Sequence, residues 1–197
     1  MSVASEKMVS LQPAEAAARP LNLAFVLDPL PGLKAYKDSS IAMMRAAATR
    51  GHAVFAIDCA TLAWRRPESA QPGGVFGMAA QLHMQPDNHD WFREIGRDRI
   101  PLTDFDAVVM RRDPPFDNEY LTATWLLERA EAAGVRVFNR PRALRDHSEK
   151  VAIAEFPQFA PETLISRDVE QLQQFIDEHD DVIPVSYTHL RAHETDS

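Results

Sequence analysis

Ala107-Val108-Val109-Met110-Arg111-Arg112-Asp113-Pro114-Pro115-Phe116-Asp117-Asn118-Glu119-Tyr120 passes from apolar residues straight into cations, carboxylates and two prolines. Phe105, Ala107, Val108 and Val109 read as a buried strand of a parallel sheet. Asp113 and Pro114 stop it, and because proline fixes φ and lacks an N–H, the two prolines stiffen the turn and keep it out of the ladder. Arg111, Arg112, Asp113 and Asp117 are thus expected on a rigid corner at a strand's carboxyl end, where open α/β sheets bind ligands. An alternative stands beside this: Asp113 and Asp117 cap the next helix and the arginines simply pair with them.

Working outward, strand and helix alternate. Leu21, Leu23, Ala24, Phe25, Val26 and Leu27 predict a first strand ending at Asp28-Pro29, and Pro31 and Gly32 mark the loop after it. Asp38 or Ser39 is placed to accept from the free N–H groups of a helix whose Ile41, Met44 and Ala48 share a face and whose stop is Gly51. Ala53 to Ile57 follows as a second strand. On the other side, Tyr120, Trp125, Leu126, Leu127 and Ala130 predict a helix stopped by Gly134, then a strand from Val135 to Phe138. Beyond Asn139-Arg140-Pro141, a short helix is expected from Ser148 to about Phe156, a strand over Thr163 to Ser166, a helix over Asp168 to His179 and a strand starting at Asp181-Val182-Ile183. Val169, Leu172, Phe175 and Ile176 fall on one face of that last helix. A domain boundary is expected between Pro141 and Pro161.

The middle is less regular. Pro67, Pro72, Gly73, Gly74 and Gly77 punctuate short apolar runs, which read as a hairpin excursion from Thr61 to Met84. Gly73-Gly74-x-x-Gly77 neither follows a buried strand nor opens a helix, so it reads as a turn rather than a phosphate cradle. Trp91 and Phe92 are expected to return the chain to the core.

With 197 residues, 45% hydrophobic and 25% charged, the chain is ordinary globular material, enough for one domain and part of another. A net charge of -8 argues against a nucleic-acid surface, which needs clustered Lys and Arg. No stretch approaches the roughly 20 apolar residues of a transmembrane helix, so no membrane partner is expected. Residues 1–20 lack the basic start and apolar run of a secretory signal and read as a flexible leader. The single cysteine, Cys59, excludes an internal disulfide, suits a cytoplasmic location and reads as a buried structural thiol.

Periodicity vanishes after Ile183. Residues 185–197, VSYTHLRAHETDS, look like one frame of a transposon-type sequencing adapter, and a non-native tail is excluded from fold reasoning. His189 and His193 stand four apart without a third ligand nearby, so metal binding is not expected there. The break carries the expectation that the natural protein continues past Ile183 and that this chain is a fragment of it.

Phe25-Val26-Leu27-Asp28-Pro29, Lys37-Asp38-Ser39-Ser40, the run from Met110 to Asp117, Asn139-Arg140-Pro141, Leu144-Arg145-Asp146, Glu149-Lys150 and Pro161-Glu162-Thr163-Leu164 resemble bacterial glutathione synthetases in order and mostly in spacing. The resemblance spans Leu21 to about Ile183. It departs in Ala63 to Gln85, which is longer and richer in glycine, and at Arg112, where the family's version usually carries lysine.

The resemblance implies an α/β fold: an N-terminal, doubly wound, Rossmann-like pre-ATP-grasp domain over 21–145, then the truncated start of an ATP-grasp domain over 146–184. It also implies an ATP-dependent carboxylate–amine ligase. ATP phosphorylates the cysteinyl carboxylate of γ-glutamylcysteine, and the amine of glycine attacks the acyl phosphate. Magnesium is expected on the phosphates, held by residues beyond Ile183. Lys150 matches the lysine that reaches ATP phosphates, and Arg111 and Asp113 match residues suited to the carboxylate and amino ends of the dipeptide. Ser39 and Ser40 are expected at a helix N-terminus facing the same sheet edge, as substrate contacts or simple caps. Asp28 is expected to orient the loop. The fragment alone is expected to be inactive, and the full-length protein to be a homo-oligomer. Two other readings stay open: an ATP-grasp ligase with a different acceptor, and a noncatalytic ligand-binding module.

Overall fold

A computed structural model describes residues 19–66, 73–113, 115–148 and 150–185. The leader up to residue 18, Pro67, Pro72, Pro114, Glu149 and the tail from residue 186, with its two histidines, lie outside the described residues.

Strand β1 (Asn22–Leu27) is central because its side chains are apolar on both faces. It pairs in parallel with β2 (Ala53–Asp58) on one side and with β6 (Ala107–Met110) on the other. Phe25 and Leu27 pack with Ile41, Met44 and Ala47 of α1 (Ser39–Thr49), whereas Ala24 and Val26 share a cluster with Tyr120, Ala123, Leu127 and Ala130 of α2 (Asn118–Ala132). The two helices therefore cover opposite faces. β6 pairs in turn with β7 (Val137–Phe138), so the parallel core has the order β2-β1-β6-β7 and reverses direction between β1 and β6. That is a doubly wound α/β arrangement, as the alternation of elements predicts.

Local chemistry sets the helix ends. The Asp38 carboxylate accepts from the Ser40 and Ile41 amides at 2.7 and 3.3 Å, and Asp117 accepts from the Tyr120 amide at 2.8 Å. Gly51 (φ +80°) and Gly134 (φ +95°) follow the two helices in the left-handed region that a side chain disfavours.

The middle region departs from the sequence reading. Gly74 and Gly77 are not in a turn: they lie in β4 (Gly74–Met84), an eleven-residue strand antiparallel to β2 and to β3 (Ala63–Arg65). Gly77 is needed for close approach, because a Cβ there would stand 2.6 Å from Ile57 Cγ2. β4 also pairs with β5 (Phe92–Pro101), a strand the sequence reading does not contain. As an edge strand it exposes Arg93 through Arg99, and exposure on both faces erases the alternation that marks a strand. A bulge at Ile95 puts Glu94 and Arg97 on one face, where they pair at 2.6 Å. Trp91 is buried, as expected.

Past β7, a helix absent from the sequence reading, α3 (Pro141–Asp146), opens on a proline and is fastened to α2 by Arg145, which reaches Glu128 at 2.5 Å and the buried Thr124 hydroxyl at 3.2 Å. The expected helix from Ser148 to Phe156 shrinks to one 3-10 turn, Ala152–Glu155. Thr163–Ser166 and Asp181–Ile183 belong to no strand among the described residues; Leu164, Ile165, Val182 and Ile183 favour extended backbone, but a strand also needs a neighbour for its N–H and C=O groups. α4 (Val169–Asp177) forms with Asp168 as its cap, yet none of its residues is buried, so its apolar face stands open.

One contact in this segment titrates. His179 stacks on Phe175, its Nδ1 lies 2.7 Å from the Phe175 carbonyl oxygen and its Nε2 lies 3.3 Å from Glu162. The carbonyl, then Glu162, raise the imidazole pKa above its ordinary 6.5. A raised folded-state pKa stabilises below the unfolded value, and the contribution fades as pH climbs through the folded value. The clip is therefore expected to hold at pH 6 and loosen in alkali. A proton NMR titration of His179 should give a midpoint above 6.5 that drops in Glu162→Gln; an unchanged midpoint would refute the assignment.

Candidate functional site

The corner after β6 sits at the point where strand order reverses, between the end of β1 and the start of α1. The Arg111 amide still belongs to the sheet, donating to the Val26 carbonyl at 2.8 Å. The chain then leaves the ladder, and the Asp113 amide donates to Asp28 Oδ2 at 3.1 Å. Asp28 thus contacts the loop it is expected to orient.

Consecutive arginines point to opposite layers, as strand geometry requires. Arg111 reaches toward α1: its Nε donates to Ser40 Oγ at 3.0 Å and its Nη2 to Ser39 Oγ at 2.6 Å. Asp38, not either serine, is the helix cap, so both hydroxyls serve the guanidinium instead. Arg112 turns toward α2. It pairs with Glu119 at 3.2 Å and with Asp28 at 3.6 Å, and its Nη1 lies 3.7 Å from the Cys59 sulfur.

The electrostatics of the two differ. Arg112 sits between two carboxylates, whereas among the described residues no carboxylate pairs with Arg111, whose partners are neutral hydroxyls. Two of its N–H groups are held by these hydroxyls, and among the described residues no carboxylate takes the others. Cys59 is buried; burial pushes its thiol up, outweighing the nearby Arg112, so it is a protonated structural thiol at neutral pH.

The fold thus brings Arg111 onto Ser39 and Ser40, and ties the Asp113 backbone to Asp28. The capping alternative holds for Asp117 alone, since Asp113 caps nothing and neither arginine pairs with Asp113 or Asp117. Lys150 is exposed on the turn after α3, a different segment from the corner. A cleft of about 480 Å³ lined by Leu33, Tyr36, His89, Trp91 and Phe92 contains none of these residues. Sequence reasoning misses the partners of Arg112, because Cys59 lies 53 positions away and Glu119, seven positions on in the same run, is not singled out by any pattern. Among the described residues, no group of three His, Cys, Asp or Glu approaches closely enough for a metal, and no helix is long and apolar enough to cross a membrane.

An open sheet with helices on both faces and a cation at its strand-order reversal defines a doubly wound α/β domain. Residues 21–145 match the model of the prokaryotic glutathione synthetase N-terminal domain, and residues 149–186 match that of the prokaryotic glutathione synthetase ATP-grasp domain. The chain belongs to the prokaryotic glutathione synthetase family. It is 48% identical over 163 residues to a glutathione synthetase of Ralstonia nicotianae, covering 83% of this chain and 48% of that protein. To those of Nitrosomonas europaea and Vibrio parahaemolyticus it is 46% and 37% identical, over 83% of this chain and 50% of each relative. The chain spans about half the length of the curated relatives it matches.

Proposed function

We propose that residues 21–145 hold γ-glutamylcysteine for an ATP-dependent ligase that joins it to glycine. The observation that carries this reading is the Arg111 guanidinium, oriented by two hydroxyls and balanced by no described carboxylate. Its fork suits a substrate carboxylate by parallel hydrogen bonds. Asp113, exposed at the stiff corner, is suited to the amino end of the dipeptide, and Ser39 and Ser40 have hydroxyl protons to donate to the same ligand.

In the proposed reaction the cysteinyl carboxylate oxygen attacks the γ-phosphorus of ATP and ADP leaves. The glycine nitrogen then attacks the acyl carbon, expelling phosphate and losing a proton. Lys150 is assigned to the ATP phosphates. Magnesium would neutralise phosphate charge, but among the described residues no cluster of His, Cys, Asp or Glu is fit to hold it. The same reading places the protein in the cytoplasm as a homo-oligomer.

Two measurements test this. By calorimetry the chain should bind γ-glutamylcysteine in preference to α-linked dipeptides; equal or absent binding would refute the assignment and favour a ligase with another substrate. In a coupled assay with γ-glutamylcysteine, glycine, ATP and magnesium, the 197-residue chain should release no ADP, and clear turnover would overturn its expected inactivity. A version extended to the length of the relatives should release ADP; binding without release would favour a noncatalytic module.

A further inference from the structure

We infer that Arg112 is a positioning residue: it fixes Asp28, and through Asp28 the Asp113 amide, so that the corner presents Arg111 and Asp113 in one geometry. The inference deepens the dipeptide reading above and rests on it for its substrate, though the positioning itself is measurable without any ligand.

Three observations converge. First, the Arg112 side chain is 13% exposed and bridges three elements, touching Asp28 after β1, Cys59 after β2 and Glu119 in the first turn of α2. A planar guanidinium can engage partners in several directions at once, which a lysine ammonium on a flexible stem does less well. Second, Asp28 divides its two oxygens: Oδ1 faces Arg112 at 3.6 Å while Oδ2 accepts the Asp113 amide at 3.1 Å. Rotation of that carboxylate would break both contacts together, so holding one oxygen holds the other. Third, the last ladder bond of β6 is the Arg111 amide, and Asp113 lies beyond the sheet. Its amide bond to Asp28 is therefore what ties the corner down where the ladder no longer can.

Arg112 is not free to take an anion itself, because Glu119 and Asp28 already balance its charge and Cys59 closes off a further N–H. The division of labour between neighbours follows: Arg111 faces ligand, and Arg112 faces the scaffold. No bond is made or broken in this role.

The test compares amide hydrogen exchange at Asp113 and Arg111 by NMR in the whole chain. Arg112→Met keeps the length of the side chain and its cover over Cys59 but removes the charge. It should speed exchange at Asp113 by about tenfold while Arg111, bonded to Val26, stays within about twofold. Asp28→Asn, which leaves an acceptor but removes the charge pair, should give a smaller rise, and Arg112→Lys should restore most of the protection. Unchanged exchange at Asp113 overturns the inference. So does a parallel rise at both amides, which would mark general loosening instead. Where the unaltered chain binds γ-glutamylcysteine, Arg112→Met should weaken it by about three- to tenfold. If the unaltered chain binds none, the dipeptide reading fails while the exchange data still decide the positioning.

Discussion

Arg111→Ala is expected to weaken γ-glutamylcysteine binding by about 10- to 100-fold, the range set by losing a charge-assisted, two-pronged contact to a carboxylate. Stability should change little. The Arg111 backbone bond to Val26 survives the substitution; of the hydroxyls left behind Ser39 is already exposed, and Ser40, buried in the intact chain, is uncovered when the guanidinium over it is removed. Arg111→Lys retains charge but not the fork, and Lys cannot meet Ser39, Ser40 and a carboxylate in one plane, so an intermediate loss is expected. Calorimetric titration with each variant checks the order. If Arg111→Ala bound as tightly as the unaltered chain, the carboxylate would have to sit elsewhere.

Gly77→Val is expected to cost about 2–3 kcal/mol of folding stability, with no direct effect on the corner. A Cβ at this position would lie 2.6 Å from Ile57 Cγ2 and 3.5 Å from Leu62 Cδ2. Ile57 cannot yield cheaply, since it is fully buried in β2 and its branched Cβ restricts rotation. β4 must then move off β2, straining the register from Val54–Leu82 to Ile57–Ala79. Urea unfolding followed by circular dichroism measures the cost. Adding Ile57→Ala should recover part of the loss, because the two changes share one space and are not additive. Full additivity would show that the close approach is not the cause.

These residues also mark how far the sequence can be read. The β1–α1–β2 and β6–α2–β7 units are legible because each link is local: apolar runs bounded by Asp38, Asp117, Gly51 and Gly134, each next to the helix end it serves. Gly77 reads as a turn because its reason is a side chain twenty positions earlier. β5 is hidden for the opposite cause, since its solvated charges leave no burial period to detect. At the corner, Arg111 and Asp113 are visible as strand-end charges on a stiff turn. Their supports are not: Asp28 lies 85 positions from Asp113, and Cys59 lies 53 from Arg112, so only the folded sheet joins them. Thr163–Ser166 fails for lack of a neighbouring ladder, which no local pattern reveals.

Tandem arginines at the end of β6 make the length of that strand non-negotiable. Inserting one residue ahead of them would slide Met110 into the outward socket beside the serines and leave an arginine only in the inner one. Deleting one would keep a guanidinium outside but thrust the carboxylate of Asp113 in among Asp28 and Glu119. Either slip puts a hydrophobic stub beside the serines or gathers like charges around Asp28, so the pairing of side chains at this corner depends on the count of a four-residue strand.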